Sequence, residues 1–323
     1  MHVVFVEPSF PANQKEFVRA LHHAGAAVTG IGERPKDSLD ADLRRWLVHY
    51  EQVPTVVDAD ALVRTVAWVS ERMAVDRLEA TVEAHFMAAA QAREALGIPG
   101  TSVRTAWLCR DKPAMKDVLR EGGVPTAASM GGDAPDEILA FAARVGYPLI
   151  VKPRSGAGAS GATRVDSDDE LREALFAAGV GQGGSVAVEE FVEGHEGFYD
   201  TITAGGRVLH DFVSHYFPNV LEAMRTRWIS PQIVVTNRID SVPDYAEVRA
   251  LGARVNDLLG IDTTATHLEW FFGPKGLRFS EIGCRPPGVR TWDLYSAAND
   301  VDLYMEWALA VLHGQRGRPS SRR

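Results

Sequence analysis

The sequence is poor in the residues that build disulfide frameworks and cysteine metal sites. Its 323 residues include two cysteines, Cys109 and Cys284, which are far apart along the chain. They offer neither the paired spacing of a zinc site nor a disulfide framework, which fits a reducing compartment. No apolar run approaches the ~20 residues that span a bilayer. The opening MHVVFVEPSF lacks the basic and apolar regions of a signal peptide. We therefore expect a cytoplasmic protein that does not enter a membrane.

Positive charges are outnumbered by negative ones. The formal net charge is −9, from 34 lysines and arginines against 43 aspartates and glutamates. A general nucleic-acid binder should carry a basic surface, so this balance argues against that class, although it does not exclude one local basic cleft. Lysine itself is rare, which makes each lysine in a candidate site easier to notice. The six lysines are Lys15, Lys36, Lys112, Lys116, Lys152 and Lys275.

The first 104 residues alternate between strand-like and helix-like patterns. An apolar, β-branched strand, His2–Val6, precedes a helix that a capping box of Asn13 and Glu16 is expected to begin. Further strands are predicted at residues 28–31, 53–57 and 78–82. Such alternation predicts a small parallel sheet covered by helices. Both a purely structural domain and a substrate-binding face at the strand ends remain open.

After residue 104 the pattern changes to helices alternating with shorter strands. We predict helices at 111–121, from Asp133 to 145, after a capping box of Ser167 and Glu170, at 244–259 and at 301–313. Strands are predicted at 147–152, 163–165 and 186–192. The polar end, 314–323, is rich in glycine, proline, serine and arginine and is predicted to be disordered.

A glycine-rich loop between two predicted strands is the most informative segment. Gly156, Gly158 and Gly161 match the spacing G-x-G-x-x-G. A dinucleotide-binding loop must open a helix, but a strand-like run follows here, so we reject that interpretation. A Walker A loop fails as well, because the chain contains no Gly-Lys dipeptide. A strand carrying Lys152, a glycine loop and a second strand favour a flap that closes over a triphosphate. An ordinary glycine hairpin is the alternative.

Several further motifs follow one another in a defined order. They are Asp111-Lys112, Val151-Lys152-Pro153, VEEFVEGHE at 188–196, His-Leu-Glu at 267–269 and SEIGCRPPG at 280–288. Together they resemble the ATP-grasp superfamily, which includes biotin carboxylase, D-alanine–D-alanine ligase and carboxylate–amine ligases. The resemblance covers about residues 105–312. It implies an α/β fold: a Rossmann-like parallel domain (1–104), a small ATP-grasp lobe with the flap (105–188) and a C-terminal lobe with a metal site (189–313).

The resemblance also implies which residues contact ATP. Lys112 and Lys152 resemble the two lysines that contact its phosphates, and Glu189 resembles an acceptor for the adenine amine within a hinge of residues 189–192. Glu196 resembles the acceptor for a ribose hydroxyl. The full implied set is Lys112, Lys152, Ser155, Gly156, Gly158, Ser160, Gly161, Glu189, Glu190, Phe191, Val192 and Glu196. A solvated strand edge is the alternative for the glutamates. Lys116 is expected to lie on the surface.

Glu269 and Glu281 are the candidate magnesium ligands. The residues between them predict a hairpin with a three-residue turn, 274–276. That register pairs Gly273 with Leu277 and places the two glutamates opposite each other, with Cβ atoms roughly 5 Å apart. Two like charges this close require a cation, and Mg²⁺, with Mn²⁺ as an alternative, prefers such oxygens. A turn of two or four residues would put the carboxylates on opposite faces. Exposed, unpaired glutamates are the alternative.

Two arginines join Lys152 as candidate catalytic residues. Arg285 resembles the family arginine that contacts phosphate or the reacting carboxylate, a role suited to its planar fork of donors. Arg227, beside Trp228, could hold a substrate carboxylate against an aromatic wall, and a surface segment with solvated arginines is the alternative. Gly283 departs from the family pattern, because an asparagine usually stands there and supplies an oxygen ligand.

The resemblance implies an ATP-dependent ligase. A substrate carboxylate would attack the γ-phosphate, and an amine would capture the acyl phosphate, releasing ADP and phosphate. The expected partners are small carboxylates and amines, with no nucleic acid or membrane, and a homodimer is compatible with the sequence. A biotin-carboxylase-like enzyme ranks lower because the chain is short for that family. A non-catalytic ATP-binding module is the third hypothesis, and retention of both Glu269 and Glu281 argues against it.

Overall fold

A computed structural model of the chain describes residues 1–154, 162–226 and 228–318. The helices within these ranges are α1 (Gln14–His23), α2 (Ala41–Trp46), α3 (Ala59–Ser70), α4 (Phe86–Leu96), α5 (Val103–Leu108), α6 (Lys112–Glu121), α7 (Pro135–Val145), α8 (Asp168–Ala177), α9 (Val220–Arg225), α10 (Tyr245–Leu259), α11 (Thr291–Asn299) and α12 (Leu303–His313). The strands are β1 (His2–Val6), β2 (Ala27–Gly32), β3 (Leu47–Gln52), β4 (Arg77–Glu79), β5 (Ser129–Gly132), β6 (Leu149–Pro153), β7 (Thr163–Val165), β8 (Val186–Glu190), β9 (His195–Ala204), β10 (Arg207–Phe217), β11 (Gln232–Thr236), β12 (Thr264–Gly273) and β13 (Gly276–Gly283).

The N-terminal sheet is parallel, as the strand–helix alternation predicts, with the order β3-β2-β1-β4. Its third strand lies at Leu47–Gln52, so the prediction of a strand at 53–57 is wrong. Pro54 lacks the N–H that a ladder needs, so this segment cannot continue the sheet. Val53 and Val56 instead pack into the core as part of a loop.

Two of the predicted helix caps are absent. Asn13 adopts a helical conformation and its side chain makes no capping hydrogen bond. The helix predicted from Asp133 begins at Pro135, with uncapped Ala134 before it. The Ser167 cap is confirmed: its hydroxyl accepts from the Glu170 N–H, and the Glu170 carboxylate accepts from the backbone N–H of Asp166.

The remaining strands form two antiparallel sheets in the described part of the chain, with the orders β5-β8-β6-β7 and β11-β10-β9-β12-β13. β6 pairs with β7 across the glycine-rich segment, Leu149 opposite Val165, so a strand follows the loop and the rejection of a dinucleotide-binding loop is confirmed. The loop itself, 155–161, lies outside the described residues. α6 packs against the five-stranded sheet, with Met115 and Leu119 in one core with Phe279.

The C-terminal helices close the molecule against its N-terminal lobe. Trp307 of α12 packs edge-on against Phe17 of α1, with ring centroids 5.0 Å apart. Gly317 and Arg318, in the segment predicted to be disordered, donate backbone N–H groups to the Glu306 carboxylate; 319–323 lie outside the described residues. None of the helices in the three described stretches has the length and apolar character needed to cross a bilayer.

Candidate active site

A cavity of about 600 Å³ lies between the two antiparallel sheets. Its walls bring together most of the described residues that the sequence nominated, from strands far apart in the chain. They are Lys152, Glu189, Glu190, Phe191, Val192, Glu196, Glu269 and Glu281. Residues 219–222, at the start of α9, also line the cavity. The geometry therefore gathers cationic and acidic side chains around one cavity.

Glu189 joins two lysines on one wall of this cavity. Its carboxylate lies 2.8 Å from Lys116 Nζ and 2.7 Å from Lys152 Nζ. Lys116 is 1% exposed, so the expectation that it lies on the surface is wrong. It stands one helical turn after Lys112, and residues i and i+4 share a helix face, so a helix that aims Lys112 inward also buries Lys116. That spacing was the signal that sequence reasoning missed.

Burial and pairing act in opposite directions on these charges. Burial by itself would raise the pKa of Glu189, but the charges of Lys116 and Lys152 outweigh it and lower that pKa to about 2. Burial lowers the pKa of Lys116 to about 8, although Glu189 opposes the shift. The carboxylate is therefore ionised and shared between the two lysines.

The hinge residues after Glu189 connect the two lobes. The Glu190 carboxylate pairs with Lys275, in the turn of the β12–β13 hairpin, and accepts the backbone N–H of Ala128 at 3.1 Å. The Phe191 N–H donates to the carbonyl of Pro148, which ties the end of β8 to the start of β6. The guanidinium of Arg164 stacks 4.6 Å from the centroid of the Phe191 ring. This end of the cavity offers an apolar, aromatic wall.

The hairpin that carries the acidic pair differs in register from the prediction. Gly273 pairs with Gly276, so the turn is one residue shorter than expected and the predicted pairing with Leu277 is wrong. The register then shifts between Trp270, which faces Phe279, and Glu269, which faces Glu281. Ser280 is the extra residue of this β-bulge. The predicted opposition of the two glutamates is confirmed, and both line the cavity.

Glu269 and Glu281 have different neighbours, which shift their pKa values in opposite directions. Burial and the negative charge of Glu269 raise the pKa of Glu281, although Lys112 Nζ lies 3.5 Å from its carboxylate. Burial would also raise the pKa of Glu269, but its interaction with the nearby His267 lowers it. Glu196 shares the acidic wall, where burial and the charge of Glu269 raise its pKa to about 8.

His267 is oriented by a buried chain of polar groups. Its Nδ1 lies 2.6 Å from an Asp200 oxygen and its Nε2 lies 3.6 Å from Glu269. The other Asp200 oxygen accepts from the Tyr295 hydroxyl at 2.7 Å. The Asp200 charge overcomes the effect of burial and raises the pKa of His267 to about 9. Sequence reasoning noted the His-Leu-Glu run but did not give His267 a role.

The acidic wall suits a divalent cation shared with a phosphate ligand. Burial and the charge of Glu269 raise the pKa of Glu281 although Lys152 and Lys112 oppose the shift, and a bound cation would favour the ionised form. Within the described residues no group of three metal-binding side chains comes together, so the protein offers the two glutamates as ligands. Mg²⁺ commonly takes one or two carboxylates and fills its remaining positions with phosphate oxygens and water. The side chains present therefore fit that ion.

Of the two candidate arginines, the structure describes Arg285 but not Arg227. Arg285 lies beside the acidic pair, in a small space that it shares with Lys112, His267 and Glu281. Arg227 lies outside the described residues, and the neighbouring Trp228 is 85% exposed. The flap residues Ser155, Gly156, Gly158, Ser160 and Gly161 also lie outside the described residues.

Comparison by sequence finds similarity to an ATP-binding domain and to an amino acid ligase. Residues 111–197 match the family described as carbamoyl-phosphate synthase L chain, ATP binding domain. Over 250 residues the chain is 27% identical to the L-arginine-specific L-amino acid ligase of Bacillus subtilis, a match that covers 75% of this chain and 59% of that protein. The chain thus matches about three fifths of the length of that relative.

Solved structures match over nearly the whole chain. The L-amino acid ligase from Bacillus licheniformis has a TM-score of 0.75 and 18% identity, covering 97% of this chain and 74% of that chain. The biotin carboxylase domain of the Hydrogenobacter thermophilus 2-oxoglutarate carboxylase has a TM-score of 0.71 and 19% identity, covering 98% of this chain and 71% of that one. At such identities the likeness is one of fold.

Proposed function

We propose that this chain, which has the ATP-grasp fold, is an ATP-dependent ligase that activates a carboxylate as an acyl phosphate and joins it to an amine. The observation that carries the proposal is that Lys152 faces the opposed pair Glu269 and Glu281 across one cavity. The similarity to an L-amino acid ligase supports amino acids as the class of substrate. ADP and phosphate would be the other products.

The cavity divides into regions suited to the parts of ATP. The triphosphate would lie between Lys112, Lys152 and the acidic pair. The base would lie against Phe191 and Val192 at the aromatic end. Glu196 would face the ribose, at a position where its carboxylate already accepts the Val220 N–H at 2.7 Å.

The protein contributes charge and position rather than covalent chemistry. Magnesium held by Glu269 and Glu281 would supply charge compensation for the triphosphate. Lys112 and Lys152 offset charge on the transferring phosphoryl group, and the Arg285 guanidinium offers a planar fork of donors to the reacting oxygens. No protein base is required, because the amine can lose its proton to solvent or to phosphate. Positioning and electrostatic stabilisation account for most of the catalysis in phosphoryl transfer.

The domain boundaries expected from the sequence belong to the same proposal: an N-terminal domain at 1–104, a small lobe at 105–188 and a metal-bearing lobe at 189–313. Small-molecule carboxylates and amines are the proposed partners. A cytoplasmic location and a homodimer remain predictions from the sequence. Arg227 stays a candidate for substrate binding.

An ADP-release screen over pairs of amino acids and small carboxylates tests the proposal. We expect ADP only when an acid and an amine are both present, and an acyl hydroxamate when hydroxylamine replaces the amine. Glu281→Gln should abolish turnover, whereas Glu247→Gln, an exposed carboxylate on α10, should not. ADP release that requires bicarbonate would instead support the biotin-carboxylase-like alternative. ATP binding without turnover for any pair would support a non-catalytic module.

A further inference from the structure

Arg285 is held by a carboxylate from the other end of the chain. Its Nε donates to Glu83 Oε2 at 2.6 Å, and one of its Nη groups donates to the Pro286 carbonyl at 3.0 Å. The side chains of Arg285 and Glu83 are 19% and 17% exposed, so solvent screens the pair only partly. Glu83 begins a short 3₁₀ turn, Glu83–His85, that follows β4 in the N-terminal sheet. The N-terminal lobe therefore reaches into the candidate active site.

Gly283 lies directly beneath this ion pair. A Cβ atom at this position would lie 3.2 Å from Glu83 Oε2 and 3.4 Å from Arg285 Cγ. The backbone of Gly283 is not in the left-handed region, so its conformation does not demand glycine. The contacts are close instead: a Cβ at 283 would require the Glu83 carboxylate to shift by a few tenths of an ångström. This is the position where the sequence departs from the family asparagine.

The location of Glu83 suits a role at the reacting centre. It lies in the same small space as Lys112, His267 and Glu281, next to the acidic pair. In the N-terminal sheet, β4 lies on the opposite side of β1 from β2, so the strand order reverses between β1 and β4. Open α/β sheets commonly bind ligands beyond the carboxyl ends of strands at such a point. The segment after β4 thus projects from the sheet edge where a substrate would be expected.

We propose that Glu83 is a positioning residue for Arg285, and that Gly283 is glycine because the Glu83 carboxylate fills the space above it. A carboxylate on Nε fixes the plane of the guanidinium and leaves terminal N–H groups available for the reacting oxygens. The pair would also hold the N-terminal lobe against the metal-bearing lobe. The inference rests on the proposed ligase function and adds to it a residue that the motif order does not contain.

A double-mutant cycle between Glu83 and Arg285 tests the positioning role. We expect Glu83→Ala to lower kcat by about 100-fold, as misplacement of a reacting group by ~1 Å can do, with little change in the KM for ATP. In an Arg285→Ala background the same substitution should change kcat by less than about twofold, because the residue it acts through is gone. Glu83→Gln, which can still accept from Nε, should recover part of the loss. Equal losses in both backgrounds would overturn the inference.

A second cycle tests the role of Gly283. Gly283→Ala should lower kcat in the wild-type protein by displacing Glu83, and should have no further effect in the Glu83→Ala protein, where the space is free. Gly288→Ala is the matched control: it lies in the same segment, its φ is not in the left-handed region, and a Cβ there would meet no atom within 4 Å. Full activity of Gly283→Ala would refute the account of the glycine.

Measurements without turnover separate this inference from the proposed function. Thermal unfolding midpoints of the wild type, both single variants and the Glu83→Ala/Arg285→Ala double variant should be non-additive, because either single change already breaks the pair. Additive shifts would overturn the inference whatever the kinetics. A wild-type protein that binds ATP but releases no ADP would refute the ligase function alone. The thermal unfolding cycle would then test the ion pair by itself, with additive shifts as the contrary result.

Discussion

Glu269 lies directly opposite Glu281 on the neighbouring strand because Ser280 is bulged out of the β12–β13 ladder. The two-residue turn, without this bulge, would set Ser280 opposite Glu269 and send Glu281 to the other face. The bulge restores the opposition that the sequence predicted from a longer turn. Bulges often re-aim a side chain beside an active site.

Replacing Glu281 with glutamine should have opposite effects on stability and on function. The pKa of Glu281 is raised in the folded protein by burial and by Glu269, so its ionised form destabilises the fold at neutral pH. Without metal and nucleotide, Glu281→Gln should therefore unfold at a temperature equal to or above that of the wild type. With magnesium and ATP, its turnover should fall by at least about 100-fold.

Differential scanning fluorimetry with and without magnesium β,γ-imido-ATP measures the stability half of this prediction. The wild type should gain thermal stability on ligand addition, and Glu281→Gln should gain much less. A variant that is destabilised without ligand yet retains the full ligand-induced gain would contradict the metal assignment.

The spacing of apolar residues on β13 indicates the bulge. On β13 the core residues are Leu277, Phe279 and Ile282, so the apolar spacing changes from two residues to three. A regular strand keeps a period of two, and one extra residue marks a bulge. Register was therefore predictable from this strand, whereas the turn residues alone gave the wrong loop length.

Other features could not be predicted from local sequence patterns. The order of the motifs was enough to predict the fold, because each motif pairs a chemical group with the strand or loop that presents it. The partner of Arg285 was not predictable, since Glu83 lies 202 residues away and no periodicity links the two. The pairing of Glu189 was predictable only in part. The sequence shows that Lys116 shares a helix face with Lys112, but tertiary packing decides that β8, which carries Glu189, lies against that face.

Lys116→Met should destabilise the protein by about 3 kcal/mol, because breaking a buried ion pair leaves Glu189 with one of its two cationic partners. Urea unfolding at pH 7 measures the loss. Lys275→Met is the matched control, since Lys275 also pairs with a β8 glutamate but is 66% exposed; exposed pairs contribute at most about 1 kcal/mol. Equal effects of the two substitutions would contradict the buried role of Lys116.

The pairing of Glu189 should make the free energy of unfolding fall within a defined range of acidic pH. Lys116 and Lys152 overcome the effect of burial and hold its pKa at about 2 in the folded protein, against an ordinary value of 4.5. A carboxyl group with a depressed pKa contributes stability above its unfolded pKa and loses it as the pH falls towards the folded value. The stability advantage of the wild type over Glu189→Gln should thus be constant above about pH 5 and shrink between about pH 4.5 and 2.

Urea unfolding of both proteins across this range provides the measurement. Glu173→Gln, on the exposed face of α8, is the control and should follow the wild type at every pH. An advantage that stays unchanged down to pH 2 would show that the Glu189 carboxylate is not paired as described.

The two cysteines, which the sequence separates by 175 residues, should behave as one protected pair. Their sulfur atoms lie 3.0 Å apart and both side chains are buried. The hydrogen bond to Cys284 and burial raise the pKa of Cys109 well above its ordinary value. Because the thiolate is the reactive form, we expect the native protein to react with a thiol-specific reagent at least about 100-fold more slowly than the urea-unfolded protein. In native Cys109→Ser, Cys284 should react with the reagent as slowly as in the wild type, because burial by itself shields it. Rapid labelling of the native wild type would contradict the burial of the two thiols.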